Sequence, residues 1–436
     1  MRDPDFQSGT PGLGYQAEPY QGRRELVREI DPTESYDDDA PLVMGRAALA
    51  HGRKPVPVRP RAMLTIPPVP VVSETTVQAG ARKGRGATVN PPNRFETNAA
   101  APFDDGWNTL TADLADLPPL ATTLIRDASR SVISYNQSPD LGFDRAVNPY
   151  RGCEHGCVYC YARPTHAYLG YSPGLDFETK LLFKPEVAEL LEKELRKPGY
   201  IARPLALGSN TDPYQPIDRT LKLTRAVLEV LDRFNHPVTI VTKSAGVLRD
   251  LDVLHGMAER NLVRVCISVT TLDANLARRM EPRAAAPTRR LQAIEQLARA
   301  GIPVGVLAAP MIPALNDAEM ERILEAASRA GARWGGYILL RLPHELKQIF
   351  EDWLNQHFPD RAKHVLELIR ETRAGALNEA KFGQRFSGTG VYADLLARRF
   401  ERAAKQWGLD NRDKLDVTRF AAPAIAGMAE AQLSLF

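Results

Sequence analysis

Three of the chain's four cysteines, Cys153, Cys157 and Cys160, fall within the run Asn148-Pro149-Tyr150-Arg151-Gly152-Cys153-Glu154-His155-Gly156-Cys157-Val158-Tyr159-Cys160-Tyr161, with the spacing C-x3-C-x2-C. Three thiolates on one short loop can each bind one iron of a cubane 4Fe-4S cluster, and the missing fourth cysteine leaves one iron open to an outside ligand. A structural zinc site is the alternative. It would need a fourth ligand, for which His155 is the local candidate, whereas structural zinc usually draws on two separated ligand pairs. A disulfide framework fits worse, because so few cysteines in 436 residues cannot staple the chain, and reduced thiols suit a cytosolic compartment. Cys266 lies in the apolar run Val263 to Val269 and reads as a buried core thiol.

Something must carry that loop. After residue 140 the sequence alternates apolar β-type runs (Pro204 to Leu207, Pro237 to Val241, Val263 to Val269, Pro303 to Ala309, Trp334 to Leu340) with helical patterns (Pro185 to Arg196, Arg219 to Phe234, Val247 to Glu259, Pro287 to Ala300, Ala318 to Ala330). A further strand is expected to enter the cysteine loop at Ala146, and Gly301 and Gly331 stand where helix C-caps are expected. Such alternation implies a parallel sheet with right-handed crossovers. About six β/α units suit an α/β fold of the open, partial TIM barrel type. A doubly wound sheet with a switch point is the alternative.

In a parallel barrel the loops leaving the C-terminal strand ends form the site. Those ends here are polar: Gly208 to Pro216, Thr242-Lys243-Ser244, Ser268-Val269-Thr270-Thr271, and Ala308 to Pro313. Turn and cap duty accounts for some of these hydroxyls. Lys243, directly after an apolar strand and facing the mouth, is placed to pair with a carboxylate.

From about Ala146 to Pro343 the sequence resembles the radical S-adenosylmethionine (SAM) superfamily, and within it the branch containing spore photoproduct lyase and the DNA repair photolyase-like proteins. The resemblance runs through the cysteine loop, with Tyr159 at its aromatic position, Ser209 to Asp212, Thr242-Lys243-Ser244 and Ser268-Val269-Thr270. It implies a 4Fe-4S cluster on Cys153, Cys157 and Cys160. SAM would chelate the open iron, and its reductive cleavage to a 5'-deoxyadenosyl radical would serve lyase or oxidoreductase-type chemistry. It also implies SAM-binding roles for Lys243 and Ser268, and for Thr211 and Asp212, with the adenine against the fifth barrel strand near the backbone of Val306 and Leu307. An electron donor such as flavodoxin or ferredoxin is implied, and a nucleic-acid substrate by family resemblance alone. The superfamily's usual Gly-Gly-Glu motif is replaced here by Ser209 to Asp212. Spore photoproduct lyases carry a hydrogen-donating cysteine in that region, whereas this chain has none between Cys160 and Cys266. Tyr214 is the substitute donor candidate, with packing as its ordinary duty. Arg341 and His344, leaving the last strand, are the substrate-contact candidates.

The remaining chain divides by texture. Residues 1–100, rich in Pro, Arg, Asp and Gly, cannot bury enough apolar surface to offset their ordering entropy and are expected to be mostly disordered or extended over another surface. Within them Arg82-Lys83-Gly84-Arg85-Gly86 reads as a solvated tail or a polyanion contact. A lead-in spans 101–145 and the barrel 146–345. A helical extension fills 346–436, with helices at Pro359 to Arg373, Leu377 to Phe382 and Val391 to Trp407, and Arg398, Arg402 and Lys405 on one helix face. A net charge of +3 with 25% charged residues demands neither nucleic acid nor membrane, and the start Met1-Arg2-Asp3-Pro4-Asp5 has no apolar core segment. No apolar stretch spans a bilayer, so a cytoplasmic location is expected. Oligomeric state is not legible. The rival from another class is a non-catalytic, metal-stapled barrel presenting a basic tail to nucleic acid.

Overall fold

The structure, a computed structural model, describes residues 84–96, 120–412 and 414–424. The disorder expected over 1–100 therefore lies outside the described residues for 1–83 and 97–100, as does 101–119 of the lead-in. The strands are β1 (Thr123–Arg126), β2 (Ile133–Tyr135), β3 (Arg145–Val147), β4 (Tyr150–Arg151) and β5 (Lys180–Phe183), then β6 (Leu205–Leu207), β7 (Val238–Thr242), β8 (Val263–Ser268), β9 (Val304–Met311) and β10 (Trp334–Leu339). Strands β3 and β6 to β10 are parallel neighbours in chain order, and β2 joins β3 antiparallel at the far edge. Every crossover thus steps to the adjacent position, with no reversal of strand order. That rules out the doubly wound alternative, whose switch point requires such a reversal. The edges β2 and β10 do not pair, so the six parallel strands form an open, partial barrel.

Burial explains the texture. All six residues of β8 (Val-Arg-Val-Cys-Ile-Ser) are buried, as expected of a parallel strand covered on both faces. Cys266 sits there at 6% exposure, its thiol pushed up to about 12 by burial, so the core reading holds. The outer helix Leu223–Arg233 turns Leu223, Val227, Leu228, Val230 and Leu231 inward, a helical stripe against the sheet. Gly301 and Gly331 take left-handed φ values of 74° and 101° just past their helices, as expected.

Four local expectations are corrected. The single helix over Arg219 to Phe234 is two, Asp218–Leu221 and Leu223–Arg233, broken at Lys222 (φ 52°). The break lets the Asp218 carboxylate accept the Thr224 N–H at 3.0 Å and the Tyr150 hydroxyl at 2.6 Å. Leu377 to Phe382 is not helical. It lies between Gly375 and Gly383, both at positive φ, while Leu377 offers its carbonyl to the Leu342 N–H, and Arg373 gathers the carbonyls of Leu339, Leu340, Gln384 and Arg385. A helix at Leu346–His357 was not anticipated; it buries Leu346, Ile349, Phe350, Trp353 and Leu354. Finally, residues 84–96 are no solvated tail but run over the surface of the barrel unit, the other reading of this segment: Arg85 is 8% exposed, donating to the carbonyls of Glu178 and Leu120. Among the described residues no helix is long and apolar enough to cross a membrane.

One buried histidine makes the fold acid-sensitive. His236 is fully buried, with Nδ1 3.0 Å from the Pro237 carbonyl and Nε2 2.8 Å from the Tyr200 hydroxyl, contacts a neutral ring satisfies with its proton on Nδ1. Burial pulls it down from 6.5 to about 4. The unfolded chain therefore takes up this proton first as pH falls. Its contribution is fully present above about pH 6.5 and is lost on descending toward about 4, up to about 3 kcal/mol. Urea midpoints at pH 7 and 4.5 should differ less for His236→Asn than for the parent, and an equal difference would remove His236 as the source.

Candidate functional site

The cysteine loop leaves β3 and is pinned by its own backbone. The Cys153 N–H donates to the Phe177 carbonyl at 2.9 Å and the Val158 N–H to the Met280 carbonyl at 3.0 Å. Gly156 curls the loop at φ +68°, and there the chain of Gly86 passes so closely that a Cβ on Gly86 would stand 1.7 Å from the Gly156 carbonyl oxygen. Cys153 and Cys157 are buried, Cys160 partly, and all three are unpaired thiols. Burial, Asp212 and the neighbouring thiols push the Cys153 thiol well up; burial and Glu281 push Cys157 up while Lys243 pulls it down.

These residues fit an iron–sulfur cluster. The two buried thiols, Cys153 and Cys157, resist ionisation and call for positive charge at the sulfurs, which bound iron supplies. Among the described residues no three His, Cys, Asp or Glu side chains converge on a single ion. A cluster asks for less, one thiolate per iron.

Two buried ion pairs that sequence reasoning missed hold the loop. Arg163 donates to the Cys157 carbonyl at 2.9 Å, to the carbonyls of Pro173 and Gly174, and to Glu178 at 2.5 Å. Glu178 also accepts the N–H groups of Gly86 (3.0 Å) and Ala87 (2.8 Å), so residues 84–87 act as a strap across the loop. On the other side Glu281 accepts from Tyr159, from Thr270 at 2.6 Å and from Arg290, which reaches the Ser268 carbonyl at 3.1 Å. Arg163 offered a signal, three residues beyond the last cysteine. Glu281 and Arg290 offered none, since either reads locally as surface.

The candidate site residues separate into those that face the cluster loop and those that support it. Lys243 places Nζ 5.7 Å from the centre of the Tyr159 ring and close enough to Cys157 to act on its ionisation. Ser268, buried, ends β8 beside it. Asp212 is a supporting residue. Its carboxylate accepts the Tyr214 N–H, the Thr242 hydroxyl at 2.7 Å and the Lys243 N–H at 2.8 Å, and lies 3.3 Å from His155 Nδ1. Burial would raise it, but His155, the Lys243 N–H and the Thr242 hydroxyl outweigh burial and hold it at about 2. His155 is thereby turned to Asp212. Thr211 is likewise engaged, donating to the Tyr150 carbonyl at 3.0 Å.

Other expectations fare differently. Tyr214 is 3% exposed under Arg249, whose guanidinium stands 5.5 Å from its ring centre, and burial and Asp250 push its hydroxyl well up; it packs. Arg341 stacks 5.7 Å from Tyr161, the residue after Cys160, and 5.9 Å from Phe386. His344 is exposed at φ 49°. The Leu307 carbonyl already accepts from Val269 at 2.9 Å, and Val306 and Leu307 are in register with both neighbouring strands. Ladder bonding therefore occupies the backbone expected to meet an adenine edge.

Comparison with known proteins gives the same class. The radical SAM superfamily pattern matches residues 147–327, and this chain belongs to that superfamily. An uncharacterised protein of Mycobacterium tuberculosis is 36% identical over 232 residues, 53% of this chain and 68% of its own. One from Methanocaldococcus jannaschii is 27% identical over 219 residues, 50% of this chain and 78% of its own. Among solved structures, a spore photoproduct lyase complexed with dinucleoside spore photoproduct is similar at 18% identity and a TM-score of 0.48, covering 65% of this chain and 79% of that one.

Proposed function

We propose that the chain is a radical SAM enzyme holding a 4Fe-4S cluster on Cys153, Cys157 and Cys160, and that it abstracts hydrogen from a nucleic-acid lesion. The observation that carries this reading is the meeting of three thiols, two buried and one partly buried, with Lys243 at the adjoining strand end. When bound, the cluster and SAM together supply reductive cleavage of SAM and a hydrogen-abstracting group. The chain's own residues do the positioning. Lys243 anchors the SAM carboxylate, Ser268 lines the same strand-end row, and Asp212 fixes His155 and the Lys243 backbone. Thr211 holds the backbone of Tyr150 just ahead of the cysteines. Arg341 faces the substrate beside Tyr161, while Tyr214 supports the loop and is no hydrogen donor.

A nucleic-acid substrate is supported by the likeness to spore photoproduct lyase stated from the sequence motifs. Without a cysteine between Cys160 and Cys266 the chain needs a different hydrogen donor from that enzyme. The reading also includes a cytoplasmic location, a small reducing partner, and the division at 100, 146 and 345, with 84–96 joined to the barrel unit. Product analysis after anaerobic reduction with SAM and lesion-bearing nucleic acids tests it. A colourless protein that binds nucleic acid without cleaving SAM would replace it with the non-catalytic alternative.

Lys243→Met is expected to weaken SAM binding by about 1.5–3 kcal/mol, the range for a hydrogen bond to a charged group, with iron content unchanged. Unchanged affinity in a calorimetric titration would remove Lys243 from the SAM site.

A further inference from the structure

Every turnover of the proposed chemistry needs one electron from outside, and the cysteine loop is approached from solvent by a cleft of about 310 Å³ whose lining includes His155, Ser244, Arg219, Arg283 and Arg289. His155 lies between Cys153 and Cys157 in the chain, so the cleft reaches the loop on the side turned toward Asp212. No aspartate or glutamate lines it. Arg283 pairs with Glu154 at 3.0 Å, whereas Arg219 and Arg289 are exposed, with no ion pair to any described residue. Arg225, Arg233 and Arg399 are paired with carboxylates, and exposed arginines such as Arg278 and Arg398 have no ion pair to a described residue either; Arg219 and Arg289 differ in sharing one cleft whose lining holds no carboxylate. In a chain of net charge only +3, two unneutralised guanidinium groups at the rim of one cleft form a local positive field.

We infer that this cleft is the docking face for an acidic one-electron carrier protein, an inference that rests on the proposed cluster site. The carrier loses one electron and the cluster gains it. No bond forms or breaks at the face. Arg219 and Arg289 steer the carrier's carboxylates and set its orientation, and His155 forms the floor next to the cluster ligands. Charge complementarity of this kind acts chiefly on association and weakens with ionic strength.

The full-length reconstituted protein with Arg219→Glu and Arg289→Glu tests this, using a flavodoxin as the probe. Calorimetry at low salt should show its binding weakened at least tenfold, and the salt dependence of binding should flatten. A variant with glutamine at both positions should fall between. Flavodoxin-driven 5'-deoxyadenosine formation should drop at least tenfold, while that driven by reduced methyl viologen stays as in the parent. Unchanged flavodoxin binding overturns the inference, and so does an equal loss with viologen. Loss of oligonucleotide binding with carrier binding intact overturns it too, by giving the cleft to substrate. If the parent cleaves SAM with neither reductant, the proposed function fails, and the calorimetric arm still decides the docking face.

Discussion

Replacing Cys157 by alanine is expected to abolish both cluster absorbance and 5'-deoxyadenosine formation, while leaving the fold in place. In the proposed cluster the thiol is one of three ligands, so its loss would leave two thiolates for a cubane that already lacks a fourth. The loop itself should survive. It is held through backbone groups, including the Cys157 carbonyl on Arg163 and the Val158 N–H on Met280, and none of these contacts uses the sulfur. Iron and sulfide content, the visible spectrum and far-ultraviolet circular dichroism measured on one preparation separate ligand loss from unfolding. Retention of the full cluster, or of product formation, would overturn the assignment of Cys157.

The second large effect falls on the strap. Composition alone marks everything before residue 101 as dispensable, yet the seat of the strap is a carboxylate with no solvent exposure, Glu178, paired with an equally inaccessible Arg163. Glu178→Ala would strand the Arg163 charge in the interior, and breaking a buried pair from one side costs about 3–5 kcal/mol. A chain starting at Ala101 keeps the pair but withdraws the Gly86 and Ala87 N–H donors, each worth about 1.5–3 kcal/mol to a charged acceptor. Both variants should unfold at lower urea and retain less iron after reconstitution. If the shortened chain matched the parent in urea midpoint and iron content, the strap would be an ornament of the fold.

The sequence made legible what local pattern can carry. Cysteine spacing, apolar runs ending in polar residues, and glycine caps each act over a few residues, so the barrel order, the cysteine loop and the strand-end position of Lys243 could be read. Partnerships across distance could not. Tyr159 meets Glu281 from 122 positions away and Glu178 meets Gly86 from 92, and charged residues give no local sign that their destination is buried. Composition left 84–96 open between a solvated tail and a docked segment for the same reason: a polar, glycine-rich stretch can be ordered by a seat that other residues build. The Leu346–His357 helix was a different kind of miss, because Leu346, Ile349, Phe350, Trp353 and Leu354 carry a helical stripe that could have been read. Leu377 to Phe382 erred the other way, its few apolar residues serving an irregular loop gathered by Arg373.

The strap also imposes an order in time. Synthesis runs from the N-terminus, so residues 84–87 leave the ribosome long before Glu178, the group that receives them, has been made. All three cysteines are added in between. The growing chain therefore passes through an interval in which the thiols are complete and the covering segment has nowhere to dock.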